Sequence, residues 1–330
     1  MKRNLLFVLC ALCSVLPSLA QDCELRFNKN GEFKIVQFTD THYKVDDKAN
    51  SQIALDRINE VLDAEQPDMV VFTGDVVVSN ESFTGLDIVL EPCIKRNIPY
   101  AVVFGNHDDE YDHTRAELYD YIASKEYSLL PPRAGGVLDF VLPVCPSGRN
   151  DDERAALLYF IDSHSYTSLK DVPGYAWIKF EQIAWYRAQS KKFTELNGGQ
   201  PLPALAFFHI PLPEYQYAVA ENEAGMIGLR TEGEACPTGN SGLFLSMKEC
   251  GDVMGTFVGH DHNNDYAILY KNILLAYGRY TGGNTVYNDL PNGCRVIVLK
   301  ENERRFDSYI RLANGKIEYQ ITYPDSFNKQ

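Results

Sequence analysis

The sequence predicts an α/β protein in which two β-sheets pack on each other and helices cover the outer faces. Two observations support this fold class. The first half alternates short apolar runs with segments of helical periodicity, which is typical of βαβ units and a largely parallel, buried sheet. The C-terminal part contains short β-type runs between Asn and Gly turns, which indicates antiparallel strands that complete a second sheet.

Strands and helices alternate in the first half. In the first predicted helix apolar residues recur at helical spacing from Ile53 to Leu62, and Pro67 ends the segment. The predicted elements are strands at 33–40, 69–75 and 100–109, and helices at 51–67 and near 85–96.

The same alternation returns in the second half. A loop-rich stretch is predicted over 131–154, and Glu221 to Gly242, rich in Gly, Glu and Thr, is interpreted as a long surface loop. The predicted elements are strands at 157–163, 204–210 and 251–260, a helix at 181–196, and the β-type runs "NILLAYGR", "CRVIVLK" and "KIEYQITY".

The first twenty residues have the three parts of a signal peptide. Lys2 and Arg3 give the basic start, an apolar stretch follows, and Ser18-Leu19-Ala20 is a small-x-small cleavage site. The apolar stretch is too short to span a bilayer comfortably, and no later segment has the pattern of a transmembrane helix. We therefore expect residues 1–20 to be removed and 21–330 to form a single exported domain, periplasmic or secreted.

The chain is acidic, and cleavage makes it more so. Removal of Lys2 and Arg3 takes the formal charge from −14 to −16, which argues against nucleic-acid binding and against anionic membranes. A small anionic substrate remains compatible with this charge, because a site can be locally positive inside an acidic protein. The oligomeric state is not predicted by the sequence.

Six cysteines remain after cleavage, and export permits disulfides. Six cysteines allow fifteen complete pairings, which the sequence cannot separate. A bond between Cys236 and Cys250 is favoured because it would close a short loop. No C-x-x-C occurs after residue 20, so the sequence gives no support to a zinc–thiolate site or a thioredoxin-like site.

Side chains of metal-ligand type follow five predicted strands. In open α/β sheets ligands gather at the carboxyl ends of strands, so these side chains are expected to converge on one crevice. Each motif by itself fits an ordinary turn or a core histidine, but five coincidences in the same strand context are much less plausible. The motifs are Asp40-Thr41-His42, Gly74-Asp75, Gly105-Asn106-His107-Asp108, His209, and Gly259-His260-Asp261-His262.

The residue types in these motifs suit particular metals. Carboxylates, imidazoles and one amide, without a thiolate, favour iron, manganese or zinc. Two carboxylates and four imidazoles are enough for two ions if one carboxylate bridges them. Two divalent ions against Asp40 and Asp75 would leave the site positive, as an anionic substrate requires.

The motifs "DTH", "GD", "GNHD", a single "H" and "GHDH", in this order, resemble the five-part signature of the calcineurin-like metallophosphoesterases. The resemblance covers nearly the whole chain after residue 20. The segments "YFIDSHSY", "GHDHNND" and "YGRYTGG" look closest to the purple-acid-phosphatase-29-like branch. The resemblance implies a four-layer αββα sandwich of two mixed sheets, a binuclear metal site and hydrolysis of small phosphorylated substrates.

The family's functional residues carry over position by position. The resemblance implies that Asp75 bridges two ions flanking a hydroxide that attacks phosphorus in line. His107 would face the substrate, where it would donate a proton to the leaving oxygen or stabilise developing charge. The implied ligands are Asp40, His42 and His262 for one metal, and Asn106, His209 and His260 for the other.

One position departs from the family pattern. Three residues after the bridging Asp, purple acid phosphatases have a Tyr that binds ferric iron, and many other members have an Asp that orients the catalytic His. Here this residue is Val78, so we expect neither device and no purple colour. Asp108 and Asp112 are the two carboxylates considered for orienting His107.

Four further basic residues lie outside the ligand positions of the five motifs. Arg230 and Arg279 are candidates for a phosphate contact, although a surface or structural role suits each of them as well. His113 and His164 match no ligand position and are expected at the surface or behind the ligands.

Three functions follow from this pattern. The first is an exported phosphatase acting on phosphomonoesters. The second is a phosphodiesterase acting on nucleotides or glycerophosphodiesters, and the third is a binding protein that kept the fold without catalysis. Complete occupancy of the ligand positions favours an enzyme, and the absence of an H-E-x-x-H helix argues against a zinc peptidase.

Overall fold

The computed structural model describes residues 25–133, 138–148 and 153–328. The predicted signal peptide and the predicted mature start at Gln21 lie outside these residues, so both stay predictions. Within the described residues no helix is long and apolar enough to cross a membrane.

Thirteen strands and six α-helices form within the described residues. The strands are β1 (Leu25–Arg26), β2 (Glu32–Phe38), β3 (Met69–Thr73), β4 (Tyr100–Val103), β5 (Phe140–Cys145), β6 (Ala156–Phe160), β7 (Ala204–Phe207), β8 (Val253–Val258), β9 (Ala267–Tyr270), β10 (Ile273–Tyr277), β11 (Gly293–Lys300), β12 (Phe306–Leu312) and β13 (Ile317–Tyr323). The helices are α1 (Lys48–Glu65), α2 (Ser82–Lys95), α3 (Arg115–Ala123), α4 (Phe180–Leu196), α5 (Glu214–Asn222) and α6 (Leu243–Cys250).

The strands form two mixed sheets. The six-stranded sheet has the order β13-β12-β11-β2-β3-β4 and is parallel only across β2, β3 and β4. The seven-stranded sheet has the order β1-β5-β6-β7-β8-β10-β9, with a parallel centre from β6 to β10. Each sheet therefore directs the carboxyl ends of several parallel strands towards one edge.

The two sheets pack face to face between layers of helices. Phe257 of β8 contacts Phe306 of β12 across the interface, with ring centroids 5.8 Å apart. On one outer face the Tyr309 hydroxyl of β12 donates to Glu65 of α1 at 2.7 Å. On the other outer face Tyr159 of β6 contacts Tyr186 of α4, with centroids 5.0 Å apart. The predicted α/β fold class, a four-layer αββα sandwich, is confirmed.

Local sequence explains where the first helix begins and ends. The Asp47 side chain accepts a hydrogen bond from the Asn50 backbone N–H and caps the start of α1. The helix ends at Glu65, two residues before Pro67, because the residue that precedes a proline is disfavoured in the α conformation. Gln66 instead takes a left-handed conformation, with φ of 45°.

The stretch 131–154, predicted to be loop-rich, contains strand β5. Pro143 lies inside this strand and argues against a strand in the sequence, because proline cannot donate to the sheet. In the structure Pro143 lies opposite Leu157 in the antiparallel pair of β5 and β6. The prediction of a loop there was wrong for Phe140–Cys145.

The C-terminal runs do not all join one sheet. "NILLAYGR" forms β10, which pairs in parallel with β8 in the seven-stranded sheet. The two later runs form β11 and β13, which extend the sheet of β2, β3 and β4. The expectation that all three complete a second antiparallel sheet is therefore correct only for β11 and β13.

The favoured disulfide is absent. Cys236 and Cys250 are both free, as are the buried Cys93 and Cys294, whereas Cys145 is disulfide-bonded. The expectation of a Cys236–Cys250 bond was wrong. Spacing along the chain indicated only that the loop between the two residues is short, and it carried no information on whether the two thiols meet.

Candidate metal centre

The site lies where the carboxyl ends of both sheets meet. Three segments follow β2, β3 and β4 of one sheet, and two follow β7 and β8 of the other. His209, after β7, joins the sheets directly, because its Nδ1 atom lies 2.7 Å from the carbonyl oxygen of Thr73 at the end of β3. The packing of the two sheets therefore brings motifs that are up to about two hundred residues apart in sequence into one place.

Six buried side chains form two compact groups that could each hold a metal ion. In each group the ligand atoms lie within 4.8 Å of one another. One group consists of Asp40, His42 and His262, and the other of Asp75, His209 and His260. Within the described residues, these groups are the sets of histidine, cysteine and acidic side chains whose geometry would suit a metal ion.

Asp75 lies between the two groups. Its Oδ2 atom is 3.2 Å from His209 Nε2 in its own group and 3.6 Å from His42 Nε2 in the other. The Oδ1 atom of Asp40 is similarly close to His42 Nε2, at 3.7 Å, and is 4.0 Å from His209 Nε2. One carboxylate oxygen of Asp75 can therefore reach ions in both groups.

Backbone carbonyls fix which nitrogen of two rings faces the centre. His209 Nδ1 lies 2.7 Å from the Thr73 carbonyl oxygen, and His262 Nδ1 lies 2.8 Å from the Tyr287 carbonyl oxygen. Each Nδ1 must donate in these contacts, so Nε2 is left as the lone-pair atom that can bind a metal. Such backing of a ligand imidazole by an acceptor is a usual feature of protein metal sites.

Asn106 is the predicted ligand that lies outside the two groups of histidine and aspartate side chains. Its Oδ1 atom is buried and has no hydrogen-bond partner, while its Nδ2 atom lies 3.4 Å from the Tyr166 hydroxyl. Buried amide oxygens rarely lack a partner, so the unpaired Oδ1 of Asn106 fits a metal ligand. The donors of both groups are oxygen and nitrogen without sulfur, which fits the iron, manganese or zinc that the sequence predicts.

The backbone at four of these residues adopts an uncommon conformation. Positive φ angles occur at Asp40 (53°), His42 (44°), Asp75 (51°) and His260 (80°). Such angles are unfavourable for residues with a side chain and cluster at functional sites. Hydrogen bonds between the motifs hold them, for example from the His42 N–H to the Asp75 carbonyl at 2.9 Å.

Two glycines of the motifs are required by close packing. A Cβ atom at Gly105 would lie 2.1 Å from Oδ1 of Asp75, and one at Gly259 would lie 1.9 Å from Oγ1 of Thr39. Any side chain at either position would displace a carboxylate or its neighbour. The glycines of "GNHD" and "GHDH" thus let the strand ends approach each other.

Opposite charges balance each other inside the site. Burial by itself would raise the pKa of Asp40, but the histidines around it hold that pKa well below its usual value. Burial by itself would lower the pKa of His209, yet Asp75 and Asp40 raise it to about 10. Burial and the nearby His209 lower the pKa of His260 to about 3. Without metal, a protonated His209 therefore compensates the two carboxylates.

Glu110 is the carboxylate that contacts His107. Its Oε2 atom lies 2.6 Å from His107 Nδ1, and the His107 side chain is 37% exposed beside the buried ligands. The His107 backbone N–H donates to Oδ1 of Asp75 at 2.9 Å. The ring of His107 lies 5.9 Å from the ring of His42, so it stands at the entrance to the first group.

Neither of the two carboxylates considered for orienting His107 has that role. Asp108 is buried and accepts from the backbone N–H groups of Gly105, Asp75 and Val76 at 2.7 to 2.9 Å, so it ties two motif loops together. Asp112 accepts from the backbone N–H of Glu81 at 2.8 Å and supports the start of α2. Buried Val78 offers no carboxylate, and Glu110 supplies one from a different loop.

The two candidate phosphate-binding arginines are engaged elsewhere. Arg230 makes two contacts with Glu234, at 2.6 and 3.1 Å. Arg279 is only 1% exposed, pairs with Asp265 and donates to the Pro291 carbonyl at 2.8 Å. Both guanidinium groups are therefore paired within the protein, and we assign neither arginine to the substrate.

His113 and His164 lie outside the two groups. His113 stacks on Phe83, with ring centroids 3.7 Å apart. His164 Nε2 lies 2.7 Å from the amide oxygen of Gln182. These positions agree with the expectation of surface or supporting roles.

Sequence reasoning missed the residues that surround the ligands. Arg115 donates to the Gly105 carbonyl at 2.8 Å and so supports the loop that carries Asn106 and His107. Tyrosines contact three of the ligand histidines and Asn106, although their spacing in the sequence shows no pattern. The tyrosines are Tyr166, Tyr175, Tyr280 and Tyr287.

The two packed sheets and the paired ligand groups at their strand ends define the class of αββα proteins with a candidate binuclear metal centre. The chain belongs to the calcineurin-like phosphoesterase family, which it matches over residues 33–264. This match includes all five ligand motifs, from Asp40 to His262.

Two curated relatives illustrate the branch. The chain is 32% identical to Probable inactive purple acid phosphatase 29 of Arabidopsis thaliana, over 90% of this chain and 84% of that protein. It is 33% identical to Phosphatase DCR2 of Saccharomyces cerevisiae, over 88% of this chain but only 55% of that protein. The predicted resemblance to the purple-acid-phosphatase-29-like branch is confirmed.

Solved structures support the fold at low sequence identity. A dimetal phosphatase from Danio rerio superimposes with a TM-score of 0.61 at 11% identity, over 88% of this chain and 98% of that chain. A purple acid phosphatase from yellow lupin seeds gives a TM-score of 0.56 at 14% identity, over 90% of this chain and 55% of that chain.

Proposed function

We propose that this protein is an exported, binuclear metal-dependent phosphoesterase that hydrolyses phosphomonoesters. The observation that carries the proposal is the position of Asp75. Its Oδ2 atom lies within 3.6 Å of a ligand nitrogen in each of the two groups, so one carboxylate can serve two ions. Two closely spaced metal ions are the arrangement that many phosphatases and nucleases use.

The ligands we assign follow the two groups. Asp40, His42 and His262 would hold one ion, and Asn106, His209 and His260 the other, with Asp75 shared. Unpaired Asn106 Oδ1 supports its inclusion. The donor set favours iron, manganese or zinc. When bound, the ions would supply an activated water as nucleophile and neutralise charge on the phosphoryl oxygens.

The protein's own residues would orient the ester and its leaving group. Glu110 holds His107 by Nδ1 at 2.6 Å, which leaves Nε2 to donate to the leaving oxygen or to stabilise its charge. His107 stands at the entrance to the site and is more exposed than the ligands, as a group that meets substrate must be. Glu110 is a positioning residue in this scheme.

Two alternatives remain in competition. One is a phosphodiesterase acting on nucleotides or glycerophosphodiesters, and the other is a binding protein without catalysis. The Arabidopsis relative carries the word "inactive" in its name, which keeps the second alternative in view. Catalysis is supported instead by the sequence, which has a suitable residue at all seven ligand positions. The backbone contacts that orient His209 and His262 support it as well.

The test is activity and metal content of the purified protein after removal of residues 1–20. We expect two ions per chain and faster hydrolysis of a phosphomonoester than of the matching diester. A preference for the diester would favour the phosphodiesterase. Two ions with no hydrolysis of either ester would favour the binding protein.

A further inference from the structure

Two half-exposed tyrosines each contact a residue of the candidate metal centre. Tyr287 stacks on His262 of the first group, with ring centroids 4.4 Å apart and an interplanar angle of 24°. The Tyr166 hydroxyl lies 3.4 Å from Nδ2 of Asn106 in the second group. The exposed fractions are 59% for Tyr287 and 50% for Tyr166, although both rings contact buried residues of the centre.

Each of these rings packs against a neighbouring ring and is still about half exposed. Tyr166 stacks on Tyr175, with centroids 5.5 Å apart, and Tyr175 contacts His260 edge-on. His262 covers one face of Tyr287, whose hydroxyl also lies 3.3 Å from Glu232. Both rings therefore keep exposed surface while they contact residues of the candidate metal centre.

The backbone holds both rings in place before a ligand arrives. Tyr166 and Tyr175 face each other across a small antiparallel bridge, flanked by the hydrogen bonds Thr167 N–H to Gly174 carbonyl and Ala176 N–H to Ser165 carbonyl, each 3.0 Å. The Tyr287 carbonyl binds His262 Nδ1 at 2.8 Å. Rings that are already ordered lose little entropy when a ligand stacks on them.

The charges around these rings disfavour a second anionic group on the substrate. The nearby arginines already bind carboxylates: Arg115 pairs with Asp109 and Asp162, and Arg230 pairs with Glu234. Glu110 and Glu232 add negative charge beside His107 and Tyr287. A neutral organic group would therefore fit this rim better than a further phosphate or carboxylate.

We propose that Tyr166 and Tyr287 form an aromatic subsite that binds a planar aromatic group attached to the phosphate of the substrate. This inference rests on the proposed function for the position of the phosphate. An open tyrosine face favours an aromatic ring over a saturated ring of the same size, because stacking adds to the burial of apolar surface. The aromatic group can belong to a small aryl-substituted alcohol or to the base of a nucleotide.

The first test measures binding without hydrolysis. Benzylphosphonate and cyclohexylmethylphosphonate are compared by calorimetry on the metal-loaded protein, because they differ in the aromaticity of one ring. We expect the wild type to bind benzylphosphonate about two- to tenfold more tightly. Equal affinities would overturn the inference, whether or not the protein hydrolyses any ester.

Variants of the two tyrosines test whether these rings cause the preference for benzylphosphonate. Tyr166→Leu and Tyr287→Leu should each reduce the preference for benzylphosphonate and keep two ions per chain. Tyr287→Phe should retain the preference, and Tyr217→Leu, a half-exposed tyrosine on α5, should leave it unchanged. Loss of metal with an equal loss of affinity for both phosphonates would mean that the rings only support the ligands, and would overturn the inference.

The second test distinguishes the two sources of the aromatic group and separates this inference from the proposed function. Hydrolysis of adenosine 5′-monophosphate is compared with that of ribose 5-phosphate, and benzyl phosphate with cyclohexylmethyl phosphate, since each pair shares its type of leaving alkoxide. A preference only within the benzyl pair supports a small aryl ester, and one within both pairs supports a nucleotide. A phosphonate preference without any hydrolysis would support the subsite and contradict the proposed phosphatase.

Discussion

Replacement of Asp75 by asparagine is the sharpest perturbation of the proposed binuclear site. The change keeps the shape of the side chain, and the amide oxygen can still accept from the His107 N–H, which now lies 2.9 Å from Oδ1. It removes one negative charge that lies 3.2 Å and 3.6 Å from ligand nitrogens of the two groups. The fold should therefore persist, while both ions lose a charged ligand.

The expected size of the effect follows from the distances. Two unit charges about 4 Å apart interact by about 4 kcal/mol at an effective dielectric constant near 20. Asparagine keeps part of the interaction through its oxygen, so we expect a loss of at least about 3 kcal/mol in metal-binding free energy, or more than a hundredfold in dissociation constant. At micromolar metal the variant should then hold one ion or fewer.

The assay is elemental analysis after equilibration with Mn²⁺ or Zn²⁺, with unfolding followed in parallel. The matched control is Asp139→Asn, the same change at another buried aspartate outside both groups. We expect two ions in the wild type and in the control. Two ions in Asp75→Asn at unchanged affinity, or equal metal loss in both variants, would refute the bridging role.

Three further predictions concern catalysis, stability and processing. His107→Ala should keep both ions and slow hydrolysis by about two to four orders of magnitude for esters with poor leaving groups, but less for good ones; an unchanged leaving-group dependence in kcat/KM would make His107 structural. Burial raises the pKa of Asp139 to about 6, so its protonated form stabilises the fold at low pH and this contribution is lost as the pH rises through 6. In urea unfolding from about pH 4 to 8, the free energy of unfolding of the wild type should fall by roughly 3 kcal/mol relative to that of Asp139→Asn. Parallel pH profiles of the two proteins would contradict this. Mass spectrometry of protein from its native host should find the N-terminus at or near Gln21, and a chain that retains Met1 would rule out cleavage.

Much of the ligand set could be predicted because its signals are local. Each metal-ligand side chain follows an apolar run. The carboxyl ends of parallel strands lie at the same edge of a sheet, whatever the details of its packing. The positions of Asp40, Asp75 and His209 after predicted strands therefore indicate a common site from the sequence alone. In the structure His209 Nε2 lies 4.0 Å from Asp40 Oδ1 and 3.2 Å from Asp75 Oδ2. Their assignment to particular ions stays a prediction.

The sequence alone determined the alternation of strands and helices and the residue types at the strand ends, because periodicity and ligand chemistry are properties of short segments. Tertiary structure alone decided which sheet each C-terminal run joins, that Arg279 is buried against Asp265, and that Tyr166 and Tyr287 flank the ligands. Those outcomes depend on which distant segments pack together. Neither an apolar run nor a single charged residue indicates which residue it will contact. Glu110 is an intermediate case. It lies only three residues after His107 in the sequence, but the contact between their side chains depends on how the loop after β4 folds.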